Sequence, residues 1–153
     1  MDLPVLTTPR LRLLPTMTGR PGVGRWLAHD DRGPVATWAL AWPSRIDQGR
    51  AGVEAQLTCE VEGRCRLEGL ASEGAEAVLA YAFATRRLLR VFAETPADDD
   101  AARGLAERLG MRYVRAFHLC RPVEDDADPC TVEYAMTYAE WHLGARPPAA
   151  QTG

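Results

Sequence analysis

The sequence predicts a mixed α/β protein of the α+β kind, one sheet whose helices are concentrated between its central strands. Three observations carry that expectation. Residues 53–61 alternate strictly, with Val53, Ala55, Leu57, Cys59 and Val61 on one face and Glu54, Gln56, Thr58 and Glu60 on the other. A loop containing Gly69 then runs into a segment where Ala75, Val78, Leu79, Ala82 and Phe83 fall at i, i+3, i+4, i+7 and i+8, an apolar helical stripe. A second such face, Ala102, Leu105, Ala106 and Leu109, ends at Gly110, placed to terminate a helix near 99–109.

The remaining elements follow in order. Residues 5–14 read as an opening strand, Leu11 and Leu13 alternating with Arg10 and Arg12. Residues 15–34 are rich in Gly and Pro and read as loop, with room for one short helix around Arg25–His29. Residues 35–42 form a second strand before the 53–61 strand, whose polar row is either solvated, as on an edge strand, or lines a site. The first helix is expected to be capped by Ser72 or a neighbour, with Glu73 and Glu76 in its first turn and Arg86 and Arg87 near its end. Strands at 90–95, 112–120 and 132–138 complete the order, the last two separated by an acidic loop.

With 153 residues, 46% hydrophobic and 25% charged, the chain reads as one domain over 1–143, followed by a tail at 144–153 expected to be disordered. No apolar run reaches the roughly 18 residues of a membrane span, and the first residues show no secretion signal, so a cytoplasmic, non-membrane protein is expected. The net charge of -3 argues against nucleic acid as a partner. Four cysteines without a CxxC pair argue against a structural metal, and none is expected. The chain has no lysine and no asparagine, a bias that points to a GC-rich genome, as of a GC-rich bacterium.

The loop before the first helix carries the chemistry. Helix N-termini present unpaired N–H groups and positive potential, a combination that suits phosphate, and Gly69 and Ala71 permit close approach to the main chain. Arg66-Leu67-Glu68-Gly69-Leu70-Ala71 resembles the R/Q-x-x-G-x-G/A loop of the GNAT N-acetyltransferase superfamily. Ser72-Glu73 stands where its ribosomal-protein-alanine-acetyltransferase-like branch often has Thr-Glu. The segments LTTPRLRLLP, AYAFATRRLLRVFAET, DDDAARGLAERLGMRYV and YAMTYAEW resemble, in order, that branch's opening strand, helix-to-strand passage, N-x-x-S…LGM segment and closing strand.

The resemblance implies a mostly antiparallel sheet splayed between two central strands and flanked by helices. It implies acetyl-CoA as co-substrate, its pyrophosphate on Arg66, Leu67, Glu68, Gly69, Leu70, Ala71 and Ser72, and its pantetheine in the splay between the 53–61 and 90–95 strands. The acyl carbonyl would meet a backbone N–H near Glu60 or Val61. Departures gather at the same place. Leu67 replaces a usual Gly, Glu68 a basic or neutral residue, Asp99 an Asn and Ala102 a Ser, so that the loop is a degenerate one. Ala106 stands where many relatives carry a tyrosine. Residues 15–52 are too few for the usual front half, leaving the acceptor pocket open, rebuilt or completed by a second subunit of a homodimer.

An amine acceptor needs a proton sink. Glu60, near the expected thioester, is the first candidate and Glu54 the second, the plainer reading of each being a solvated glutamate. His118 could serve as base or as a hydrogen-bonded structural histidine. Tyr113 and Tyr134 could donate a proton or simply pack, and Cys65 could carry an acyl group. Glu124–Asp128 could attract a cationic acceptor or form a solvated turn. Two functions remain in view: an acyl-CoA-dependent N-acyltransferase acting on a small-molecule or peptide amine, and a GNAT fold that no longer uses acetyl-CoA and serves as another small-molecule enzyme or a binding protein.

Overall fold

A computed structural model describes residues 3–16, 22–63, 69–118 and 130–144. Among them, eight strands form one sheet in the order β1-β2-β3-β4-β5-β6-β8-β7. These are β1 (Leu6–Thr7), β2 (Arg12–Pro15), β3 (Gly22–Asp30), β4 (Gly33–Ala41), β5 (Glu54–Val61), β6 (Arg90–Pro96), β7 (Arg112–Phe117) and β8 (Thr131–Thr137). Every neighbouring pair is antiparallel except β5 and β6. The helices are α1 (Leu70–Ala80), α2 (Asp100–Arg108) and α3 (Tyr138–Gly144).

Several local expectations are corrected. The opening segment is a hairpin rather than one strand: Thr8 N–H donates to Leu11 O at 2.9 Å and Leu11 N–H to Thr8 Oγ1 at 2.9 Å, closing a turn around Pro9, which lacks a ladder donor. Residues 25–29 are strand, not helix. They lie in β3, held between β2 and β4 with Trp26 and Ala28 fully buried, so pairing on both sides overrides a composition that reads as loop. The β5 strand is not an edge; it lies between β4 and β6.

At the end of the sheet, Tyr138 starts a helix instead of extending the closing strand. Thr137 N–H donates to Glu140 Oε1 at 3.0 Å and Glu140 N–H to Thr137 Oγ1 at 3.2 Å, a reciprocal capping box. Trp141 of α3 stacks on Phe83, ring centroids 5.5 Å apart.

The stripe on α1 is buried as its spacing requires, and the helix ends in one π-helical turn, Tyr81–Thr85, where Arg86 N–H reaches Tyr81 O. The α2 helix stops at Gly110, with Met111 N–H on Ala106 O and Gly110 N–H on Glu107 O. The core lies between the helices and the sheet face that carries Trp38, Leu57, Val91 and Tyr134.

The opposite face is covered by the β4–β5 connection, which includes a 3-10 turn at Ile46–Gln48. Ion pairs strap it down. Arg45 Nη2 meets Glu94 at 2.8 Å, and Asp47 takes Arg45 Nε at 3.0 Å and Arg115 Nη2 at 2.8 Å. The buried Glu133 is paired with both Arg90 and Arg115. Asp47 is held down to about 2 by hydrogen bonds from Arg45 and Arg115. The acidic loop at 124–128, Cys65 and residues 145–153 lie outside the described residues.

Candidate active site

The central feature is a fork in the sheet. β5 and β6 are hydrogen-bonded in parallel only where Glu54, Ala55 and Gln56 face Arg90, Val91 and Phe92. Beyond that point β5 stays with β4 through Val61, and β6 stays with β8 through Pro96. Each strand keeps its outer partner and leaves the inner one, so the gap opens toward the C-terminal ends of both. Ligands of open α/β sheets bind at such ends, where backbone polar groups are available.

A cleft of about 410 Å³ occupies this end. One wall is β5, with Cys59, Glu60 and Val61. A second is the start of α1, with Gly69, Ala71 and Ser72. The third is a row on α2, Asp99, Ala102, Leu105 and Arg108.

The α1 terminus begins at a glycine. Gly69 is its N-cap, at φ 73°, a left-handed conformation that costs a glycine nothing, and among the described residues no side chain caps the turn. Ser72, expected as the cap, instead donates its Oγ–H to Gly69 O at 3.0 Å. Trp38 from β4 sets the depth of the helix: its Nε1–H donates to Ala71 O at 3.0 Å, and its ring lies where a Cβ on Gly74 would stand. Glu73 does not approach the N–H groups of the turn. Its carboxylate accepts from Thr8 Oγ1, from Arg10 N–H at 2.9 Å and from Arg10 Nε at 2.7 Å. Desolvation, the largest single influence, works to raise its pKa, but these hydrogen bonds together hold it below the ordinary carboxylate value.

Other candidates are placed as follows. Glu60 and Val61 are in the cleft, as are Gly69, Ala71, Ser72, Asp99 and Ala102. Asp99 is the N-cap of α2, Oδ1 accepting from Ala102 N–H at 3.0 Å, so its carboxylate is committed to the helix. Leu70 is buried beneath the turn rather than lining the cleft. Arg66, Leu67 and Glu68 lie outside the described residues.

Glu54 sits at the paired end of β5, about 20 Å along the strand from Glu60, where it accepts from Arg50 N–H. His118 is exposed at the end of β7, away from the cleft. Tyr134 is buried under α2, donating to Glu107 at 3.2 Å and accepting from Arg103 Nε at 3.1 Å, while Tyr113 packs edge-on to it.

Three residues in or beside the cleft were not singled out from the sequence. Arg108 continues the α2 row one turn beyond Leu105, a spacing that was legible. Arg10 reaches the α1 terminus only through tertiary structure. Cys59 belongs to the core-facing row of β5 yet borders the cleft, and burial, with a smaller push from Glu60, raises its thiol to about 12. It is a neutral thiol at physiological pH, unsuited to nucleophilic attack.

The sheet is thus antiparallel except at one parallel fork, with a helix terminus beside it. The family profile described as Acetyltransferase (GNAT) domain matches residues 17–112, more than half of the chain, and the chain belongs to that family. GNAT acetyltransferases use acetyl-CoA. Among solved structures, a putative acetyltransferase superposes with TM-score 0.75 at 16% identity, covering 100% of this chain and 97% of that one. An acetyltransferase of the GNAT family from Bacillus anthracis gives TM-score 0.64 at 19% identity, over 76% of this chain and 67% of that one. A spermidine N-acetyltransferase from Vibrio cholerae gives 0.64 at 12% identity, over 80% and 70%. At these identities the likeness is one of fold. No curated protein matches the chain.

No described helix is long and apolar enough to cross a membrane, and no described group of His, Cys, Asp and Glu could hold a metal ion.

Proposed function

We propose that this protein is an acyl-CoA-dependent N-acyltransferase that transfers an acetyl or similar acyl group to an amine by direct attack on the thioester. The observation that carries this reading is that the end of β5 released from β6 and the glycine-capped terminus of α1 line one cleft. The first-turn N–H groups of α1 would hold the pyrophosphate. The inner edge of β5, released from β6 beyond Gln56, supplies backbone donors near Glu60 and Val61 for the acyl carbonyl, where they favour the developing oxyanion. Acetyl-CoA brings the activated acyl group. Glu60, which lines the cleft and is exposed, would take the proton of the attacking amine, directly or through water. Protonated Cys59 fits direct transfer without an acyl-enzyme.

The acceptor is an amine of a small molecule or a peptide. It would reach the fork beside the strapped β4–β5 connection, where the front half is short. A second reading, a GNAT fold turned to another small molecule, is favoured by Ala102 and Asp99: one offers no side-chain hydrogen bond and the other spends its carboxylate on the α2 cap.

Isothermal titration with acetyl-CoA and with CoA separates the two. Micromolar binding, about -8 kcal/mol, supports the transferase, to be followed by an amine acceptor screen. Absence of binding up to about 1 mM sinks it and favours the second reading.

A further inference from the structure

Resting on the transferase reading above, we infer that Glu94 is a positioning residue of the fork. Held on the back of the sheet by Arg45 and Gln48, it keeps β6 from closing onto β5 and so leaves the β5 backbone donors available to an acyl group.

The two inner edges of the fork are complementary. Glu62 N–H donates to Val35 O at 2.9 Å, and by the alternation of an antiparallel pair the N–H groups of Cys59 and Val61 point away from β4, into the fork. On the other arm Ala97 N–H donates to Cys130 O at 2.8 Å, so the carbonyls of Glu94 and Pro96 point away from β8, toward the same gap. The parallel register that pairs Gln56 with Phe92 would, if continued, pair Thr58 with Glu94. Cys59 N–H would then donate to Glu94 O, and Val61 N–H to Pro96 O. A closed sheet is therefore a competing state, favoured by every backbone group it would satisfy.

Glu94 is the first back-face residue of β6 beyond the last pair, and it is tied elsewhere. Its side chain is 7% exposed. Arg45 Nη1 and Nη2 donate to Oε1 and Oε2 at 3.1 and 2.8 Å, a two-point grip, and Gln48 Nε2 donates to Oε1 at 3.1 Å. The Arg45 guanidinium lies over the ring of Phe117 on β7, so the carboxylate is drawn to the side of the sheet away from β5. Gln48 is the brace. Buried itself, it also reaches Gln56 Oε1 at 3.5 Å, while its own Oε1 accepts from Ser44 N–H at 2.7 Å and Arg45 N–H at 3.1 Å. Thr58, the counterpart of Glu94 on β5, is exposed, so the clamp acts on the β6 arm. Pro96 adds to the parting, since it brings no N–H to that edge.

A merely structural tie makes a prediction of opposite sign, and amide hydrogen exchange followed by NMR without ligand separates the two. Glu94→Ala should slow exchange at Cys59 and Val61 about tenfold as the arms close, with the rest of the sheet unchanged or faster. Gln48→Ala should act in the same direction. Glu94→Gln still offers an oxygen to both partners and should act less. CoA affinity should fall about tenfold in Glu94→Ala, because the gap that would take the pantetheine narrows. Glu94 is only a structural tie if exchange at Cys59 and Val61 stays as it was in all three variants, or quickens along with the whole sheet. Failure of the unaltered protein to bind CoA is a separate result: it removes the transferase reading, while the exchange measurement still decides whether Glu94 holds the fork open.

Discussion

Trp38 donates its indole N–H to the carbonyl of Ala71 at 3.0 Å while its ring occupies the space beside the bare Cα of Gly74. One residue of β4 thus sets how deep the start of α1 sits over the fork. A Cβ at position 74 would collide with a ring that is itself fully buried and unable to retreat. Gly74→Ala is expected to destabilise the protein by about 3 kcal/mol, read from denaturant unfolding, despite the better helix propensity of alanine. An unchanged or higher stability would show that the helix shifts freely, and that its terminus is not positioned by Trp38.

The phosphate cradle is tested at Gly69. Asp and Asn both tolerate the left-handed conformation at similar cost, so the two substitutions differ chiefly in charge. Gly69→Asp should abolish detectable CoA binding, and Gly69→Asn should weaken it far less, with nearly equal melting temperatures. Equal losses of affinity would remove the electrostatic role assigned to this terminus.

Glu60 and Glu54 occupy one face of one strand but opposite ends of it. Once an amine acceptor is found, Glu60→Gln should lower kcat by about 100-fold with little change in the KM for acetyl-CoA. Should Glu54→Gln cost as much, the proton acceptor has been assigned to the wrong end of β5.

The strap across the back of the sheet predicts an acid sensitivity. Asp47 is held at about 2 by Arg45 and Arg115, and Glu140 at about 2 by Arg112 and the Thr137 N–H, both below their unfolded values. Their stabilisation is therefore complete above about pH 4.5 and is lost as the pH falls toward 2. Melting temperature followed from pH 6 to pH 2 should drop through that window. The drop should be smaller in Asp47→Asn; an identical profile would mean that the strap contributes nothing to the fall.

Glu133 is the buried centre of that network, 2% exposed and flanked by Arg90 and Arg115. Glu133→Ala should cost about 3 kcal/mol, because two guanidinium groups lose the carboxylate that satisfies them. A cost below 1 kcal/mol would show that water replaces the carboxylate at both.

Local periodicity was legible because it depends only on neighbours along the chain. The stripes of α1 and α2, the alternation of β5 and the stop at Gly110 each follow from spacing. The capping box Thr137-x-x-Glu140 was legible too, but an apolar β-like run around it drew the reading toward strand. β3 was hidden for the opposite reason: its glycines and the prolines on either side of it signal loop, and only pairing on both edges makes a strand of it.

The candidate site divides along the same line. The Gly69 loop, Glu60, Val61, Asp99 and Ala102 could be named because the family resemblance, carried by short local motifs, points to those positions. Arg10 could not, since its partner Glu73 is 63 residues away and no spacing rule joins them. By itself the sequence determined β4 to β8, α1, α2 and their order, through short-range periodicity, and the family resemblance, through motif. The tertiary structure alone decided that β5 and β6 part after Gln56, that the Asp99 carboxylate is spent on a cap, and that Glu73 faces an arginine rather than the cleft. Those are outcomes of which surfaces meet, and long-range burial and charge pairing set them.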